Sequence, residues 1–529
     1  MTVTPQGELY LCKTKLENDY KNQFTWDNIT SQQTYFNGTV QNTFSEYTYM
    51  KKDSTVTVSA NIDDIIGCNY LFYVNKGFTT KTYYCFITGM TYVNENTTRI
   101  TFETDCYQTW YFEIQYNRCF VEREHVNNDT IGLHTIPEGL ETGEYVNIDR
   151  TSFSYGGYYT CIAVSENLFD TSVAPTTMYN GITSGLTYIL LKTSDDINKT
   201  VLLYDGKSDA LYSMFMVPKN FFNTPINWRQ WSLPLFPSYT IDYAYVPTTS
   251  LPFTVDTTTL SKNTKLGSLN VYTPKNNKLF TYPYNFIRLD NNTGTSMIYQ
   301  YELFDNLNNI EFQTGGNINT GCSIKTIPKN YNHISTFNYN EGINGAKLPV
   351  CSWVNDPYTN WLTQNGVNMD ANIVKSTVGG IVGGAVAGGV VGAVAGGVVG
   401  GLKAVYDNMV AKESHDMIPK QVSGNTNSSD IMFSLGSIAM NFYRVSIKEE
   451  FAKVIDNYFS LYGYKVNEVK VPNITGRQNW NYVKTIDCNV DGDIPQTDLN
   501  IIKQMFNNGV TLWHNPANIY NYSLDNNIV

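Results

Sequence analysis

Between Lys375 and Lys403 lie 27 consecutive residues without a charge, and their types point to chemistry with lipid rather than with a proton or a metal. The run holds eleven glycines and eight valines, and its residues 385–392 recur unchanged as 393–400. As a helix it would be roughly 40 Å long, enough to cross a hydrocarbon core of ~30 Å. Ten strongly apolar side chains, Val378, Ile381, Val382, Val386, Val390, Val391, Val394, Val398, Val399 and Leu402, favour insertion by about 3–6 kcal/mol. The glycines offset much of that, and Gly and Val are poor helix formers in water. Insertion is therefore expected to sit near balance and to depend on conditions.

The glycines are ordered as well. Gly380, Gly384, Gly388, Gly392, Gly396 and Gly400 are spaced every four residues, as overlapping G-x-x-x-G motifs. Such rows let helix backbones approach closely in lipid. Each four-residue step overshoots a turn by about 40°, so the row winds about halfway round the helix. A helix of this kind can pack on two sides, as in a ring, which predicts a homo-oligomeric pore. The competing reading is a flexible linker. Linkers are normally polar, whereas exposed Val, Ile and Leu would invite aggregation unless covered. A segment stored as a plug and released later satisfies both readings; a constitutive transmembrane anchor suits this composition least.

Two other clusters carry possible chemistry. Asp487, Asn489, Asp491 and Asp498 follow a calcium-loop spacing, with Gly492 at the tight turn. Oxygen ligands on one loop suit a hard cation, but the twelfth position is Asp rather than Glu and a strand precedes it. The alternative is an Asx-rich turn in which Asp498 caps the next helix. Metal binding is not expected. Glu122-Arg-Glu-His125 reads as an ion-paired strand end, and His134, His333, His415 and His514 stand alone. No G-x-S-x-G, P-loop or dinucleotide-binding glycine pattern is present. Neither an enzyme nor a cofactor is expected.

The elements that must carry these residues are mostly strands. Across 529 residues the net charge is −11, with 16% charged and 42% hydrophobic residues. That profile excludes disorder, a coiled coil and a DNA-wrapping protein. Nine cysteines without a C-x-x-C pair read as buried thiols of a chain folded in a reducing compartment. The N-terminus lacks the charged and apolar regions of a secretory signal. Residues 55–59 alternate as a half-buried strand, 70–74 and 82–87 read as a hairpin, and 98–103 continue the meander. Stretches near 234–237, 291–295 and 315–320 look like loops between sheets.

Towards the C-terminus, Ser446-Ile-Lys-Glu449 reads as a capping box. Ile447, Phe451, Val454, Ile455 and Tyr458 then mark one apolar helix face, closed by Gly463. Strands near 466–471 and 482–486 and a helix over 498–509 follow. The expected fold is mainly β with a small α+β C-terminal module. The expected divisions are an N-terminal β tube domain (1–150), a β-rich middle (151–355), the membrane-active loop (356–430) and the C-terminal module (431–529).

The blocks Asp105-Cys-Tyr-Gln108-Thr109-Trp110, Phe120-Val-Glu-Arg-Glu-His125 and Thr135-Ile-Pro-Glu138-Gly139-Leu140 resemble the N-terminal part of tail knob proteins. So do Tyr462-Gly-Tyr464-Lys465, Gly492-Asp493-Ile and Asn508-Gly509-Val-Thr-Leu-Trp513-His514 in the C-terminal part. These proteins belong to small Picovirinae-type podophages that infect Gram-positive bacteria. The resemblance implies a homohexameric, ring-shaped tube at the distal end of the virion tail. It implies that hydrophobic loops, here 376–402 with their flanks, plug the lumen and later form a pore in the host cytoplasmic membrane for genome ejection. The implied partners are further copies of the chain, membrane lipids and other tail proteins such as the lower collar. Passing double-stranded DNA would be bound weakly or not at all in an acidic lumen. The calcium-like Asn489 and Asp491 are not a feature of the family. The rival function is a receptor-binding tail protein for cell-wall glycan without pore activity, suggested by 40 Tyr and 8 Trp. A cell-wall hydrolase and a secreted toxin fit the residues less well.

Overall fold

The computed structural model describes residues 7–529 except 51–53, 77–79, 155, 171, 173–177, 180–181, 184–185, 206–209, 223–224, 247–252, 269–270, 293, 317–323, 346–349, 355–420 and 426–439. The chain is mainly β and forms two compact units. One comprises Met1–Glu144, Lys265–Tyr284 and Ile447–Val529, the other Tyr145–Thr264 and Asn285–Ser446. The boundary expected near 150 thus falls at 144. The C-terminal stretch is not a module of its own, because its strands complete a sheet with strands from the first 125 residues.

In the first unit a seven-stranded sheet runs in the order Val40–Phe44, Gly7–Cys12, Tyr70–Asn75, Thr82–Asn94, Thr97–Thr104, Thr55–Val58, Tyr47–Met50. Period-2 alternation explains its placement: Val56 and Val58 are buried, while Thr55 and Thr57 stay half-exposed. The expected hairpin forms with Tyr70 opposite Phe86 and Val74 opposite Thr82. The second sheet orders Asn22–Phe24, Val510–Trp513, Trp480–Ile486, Cys119–Glu124 and Tyr464–Lys470. Asn22–Phe24 joins it in parallel with Val510–Trp513, linking the two ends of the chain.

The helix Glu449–Tyr462 ends as expected, with Gly463 at φ +65° and its N–H donating to Phe459 O at 2.8 Å. Its start differs from the expectation, and of the expected face Ile447, Phe451, Ile455 and Tyr458 pack in or against the core while Val454 does not. Ser446 remains in the strand Met440–Ile447, paired with Asn285, so it is not a cap. Lys448 stands at the N-cap without a side-chain bond. The buried positions are Ala452, Ile455, Asp456 and Phe459, while Val454 is 68% exposed. Asp456 is buried beside them because its carboxylate accepts from Tyr272 O–H at 2.6 Å, Lys275 N–H at 2.7 Å and Asn276 N–H at 3.0 Å.

The second unit contains a seven-stranded sheet in the order Arg229–Leu233, Phe236–Tyr245, Thr187–Leu191, Tyr158–Val164, Leu211–Pro218, Val350–Val354, Gln421–Asn425. A four-stranded sheet adds Tyr145–Phe153, Met440–Ile447, Asn285–Asp290 and Ser296–Gln300. A third sheet is built on Phe253–Leu260, Ile310–Gly316 and Ile324–Tyr331. Leu190, Phe215, Phe312 and Phe442 share one core here. The segments near 234–237 and 291–295 are hairpin turns within a sheet rather than loops between sheets, since Leu233 pairs with Phe236 and Asp290 with Ser296. At 315–320 the strand runs on to Gly316 and pairs with Ile324, and 317–320 lie outside the described residues.

Candidate functional site

The apolar segment is mounted on the edge of the second unit's large sheet. Val350–Val354 pairs antiparallel with Gln421–Asn425, from Val350 opposite Asn425 to Val354 opposite Gln421. Gln421–Asn425 is the outermost strand, and Val350–Val354 is anchored inward through Ser213 opposite Ser352 and Phe215 opposite Val350. The two ends of residues 355–420 therefore leave the sheet side by side, at the ~5 Å spacing of neighbouring strands. The ten apolar positions from Val378 to Leu402 and the six glycines from Gly380 to Gly400 lie outside the described residues. Followed across the sheet, the strand registers put this exit at the end where Val164 meets Leu211 and Thr187. The hairpin tip bearing Leu235 and Phe236, 85% and 63% exposed, projects from the opposite end.

The calcium-like residues are drawn to separate partners. Asn489 Nδ2 donates to Arg118 O at 3.3 Å, Asp491 Oδ1 accepts the Gly492 N–H at 2.8 Å and Asp498 Oδ2 accepts Trp110 Nε1–H at 2.8 Å. Asp487 takes a left-handed turn at φ +58°. Asp498 sits in the first turn of the helix Gln496–Asn508, whose N-cap is Pro495, so the expected cap by Asp498 does not form. Among the described residues no three His, Cys, Asp or Glu side chains come together as a metal would need.

At Glu122–His125 the ion pairs are explicit. Glu122 meets Lys484 at 2.8 Å, Glu124 meets Lys470 at 2.6 Å, and Arg123 pairs with the fully buried Glu138. His125 Nδ1 accepts the Tyr482 N–H at 2.7 Å, which leaves its Nε2–H for Ser460 O at 3.1 Å. Burial and then the Arg477 charge push its pKa down to about 3, so it is a neutral structural bridge. Cys12, Cys68, Cys85, Cys106, Cys119 and Cys488 are buried free thiols.

Sequence reasoning missed a buried polar node around Gln108. This side chain accepts from Trp26 Nε1–H at 2.7 Å and donates to Gln23 Oε1 at 2.9 Å and Phe24 O at 3.0 Å. Asp105 caps the short helix Cys106–Trp110 by accepting the Gln108 N–H at 3.1 Å, and it takes the Tyr70 O–H at 3.0 Å. The conspicuous block at 105–110 thus fixes packing rather than catalysis. Its polar residues inside an aromatic stretch were the available signal.

Residues 252–527 match the family model of the C-terminal domain of tail knob protein gp9 of Bacillus phage phi29. The chain belongs to this tail knob family. Residues 9–115 also match the model of the caudoviral major tail protein N-terminus. The tail knob protein gp9 of Bacillus phage PZA is 24% identical, with 98% of each chain covered. Its counterpart in Bacillus phage B103 is 25% identical over 97% of this chain and 96% of that one. That of phage phi29 is 24% identical, with 98% of each covered. In fold, the knob chain is similar to the solved tail knob protein gp12 of bacteriophage C1, with a TM-score of 0.65 at 14% identity, over 99% of this chain and all of that one. It is a tail knob protein and a part of the virion tail.

Proposed function

We propose that this tail knob chain assembles into a hollow homohexameric ring whose 376–402 segments plug the lumen at rest and enter the host cytoplasmic membrane on release. The observation that carries this reading is the uncharged, glycine-ordered run of 27 residues, flanked in sequence by two strands that pair at the sheet edge, Val350–Val354 and Gln421–Asn425. A tether of this form lets the segment move as a unit while the sheet stays folded. In lipid every backbone N–H and C=O must be bonded internally, which drives the segment into helix. The rows from Gly380 to Gly400 then supply close contacts between copies, and the genome passes through tube and pore. The acidic balance of the chain, −11, keeps passing DNA from adhering. Other tail proteins such as the lower collar hold the opposite end of the tube. The function needs no catalytic group or cofactor.

Dye release from liposomes tests the proposal, using the full protein over a range of pH. Release is expected, and deletion of 376–402 is expected to abolish it while leaving a soluble oligomer. Replacing Gly388 and Gly392 by Leu raises hydrophobicity but blocks close packing, so leakage should fall. Unchanged leakage in that double variant would remove the glycine-row mechanism. Failure of the deleted protein to oligomerise would assign the segment a structural role instead.

A further inference from the structure

The turn Pro234–Leu235 joins the strands Arg229–Leu233 and Phe236–Tyr245, and its residues are unusual for a hairpin that stays in water. Two-residue hairpin turns are normally built from Asn, Asp or Gly. Here Pro234, Leu235, Phe236 and Pro237 are all exposed, and Leu235 is the most exposed large hydrophobic side chain of the described residues. From Gln230 to Ile241 the chain carries no charge. Apolar side chains on a convex tip gain nothing from the fold itself; they leave water only against a second body.

The backbone suits the same medium. Proline has no N–H, so Pro234 and Pro237 remove two donors from the tip. Entry into hydrocarbon is opposed above all by unmet backbone donors and acceptors. A protein pocket would use such donors, at about one hydrogen bond per 100–200 Å² of interface, whereas a bilayer has no use for them. Behind the tip the side chains change in order. Trp231 and Tyr239 are half-buried: Trp231 stands edge-to-face on Phe169 at 5.7 Å, and Tyr239 O–H donates to Lys199 O at 2.6 Å. At ~3.3 Å per residue, Trp231 lies about 13 Å behind Leu235. Charges come next, and they are paired: Arg229 with Asp170 at 3.4 Å, Lys192 with Asp242 at 3.0 Å, and Lys199 with Asp195 at 3.7 Å. An apolar tip, then amphipathic aromatics, then charge is the order of an element that sits in a membrane interface.

We propose that the 233–237 hairpin tip is a lipid anchor, which inserts Leu235 and Phe236 into the outer acyl layer of a bilayer with Trp231 and Tyr239 at headgroup depth. Because the charges at its base are paired, the anchor acts through apolar burial and not through attraction to anionic lipid. The proposal concerns adhesion rather than passage, and it does not rest on the 376–402 segment.

Flotation of the full-length protein with phosphatidylcholine vesicles, with and without phosphatidylglycerol, tests it. Binding to both is expected, changing less than twofold between low and high salt. The double variant Leu235→Asp/Phe236→Asp should bind at least tenfold more weakly, with its melting temperature unchanged because both side chains are exposed. Phe236→Trp should keep the binding, and brominated acyl chains should quench the fluorescence that this variant gains over wild type. Absence of binding, or equal binding by wild type and the double variant, would overturn the proposal. Binding that requires phosphatidylglycerol would refute the uncharged mode. Loss of self-association in the double variant, measured by sedimentation, would assign the tip to contacts between copies instead. The pore has a separate readout: deleting 376–402 should abolish leakage yet leave vesicle binding intact, and loss of binding on that deletion would count against the anchor.

Discussion

Asp105 shows how a single buried carboxyl can set the response of this protein to pH. It is fully buried, and burial outweighs the Gln108 N–H, Tyr70 O–H and other bonds, raising its pKa to about 7. A carboxyl with a raised folded-state pKa contributes stability that is fully present below its unfolded value near 4 and is lost as pH rises through 7. The effect is bounded at about 4 kcal/mol for three pK units. Asp105→Asn keeps an acceptor for Gln108 but removes the titration. Thermal melts at pH 5 and pH 8 should therefore show wild type losing stability with rising pH more steeply than Asp105→Asn; parallel slopes would refute the assignment. Asp456 is the buried acceptor for Tyr272, Lys275 and Asn276. Asp456→Ala leaves these donors unmet and should destabilise by about 3 kcal/mol or more in urea unfolding.

At the scale of elements, the helix Glu449–Tyr462 separates what periodicity predicts from what packing selects. Gly463 was legible because a helix stop needs a left-handed residue, and the structure adds a second reason. A Cβ there would lie 2.1 Å from Glu124 O on the neighbouring strand. Gly463→Ala should thus cost about 3 kcal/mol or more, beyond the ~1 kcal/mol of backbone strain alone. Of the expected face only Val454 points away from the core, because hydropathy assigns Val454 inward and Asp456 outward. Val454→Lys, at a site 68% exposed, should change stability by less than about 0.5 kcal/mol. A large loss in that variant would show that this face is covered in the assembled knob.

At the scale of the whole molecule, the two units are interleaved rather than consecutive. The chain leaves the first unit after Glu144, returns over Lys265–Tyr284, leaves again, and re-enters at Ile447. Residues 355–420 lie in sequence between the paired strands Val350–Val354 and Gln421–Asn425, so their removal interrupts no strand of the described residues. Replacing 355–420 by a short turn joining Val354 to Gln421 should keep the melting temperature or raise it slightly, since closing a shorter loop costs less entropy. A cooperative loss of structure on this replacement would show that the segment is part of the fold.

The sequence by itself determined the β character, the hairpin over 70–87, the glycine helix stops and the apolar run at 376–402. These depend on neighbours within a few positions, where alternation, turn chemistry and composition act directly. It also carried the family, through blocks such as Asp105–Trp110 that proved to be packing nodes. Tertiary structure alone decided that Ser446 stays in a strand, that Asp498 turns to Trp110 instead of capping a helix, and that Arg477 is buried beside a cavity. Each of these rests on partners tens to hundreds of residues away, and such long-range pairings leave no local pattern to read.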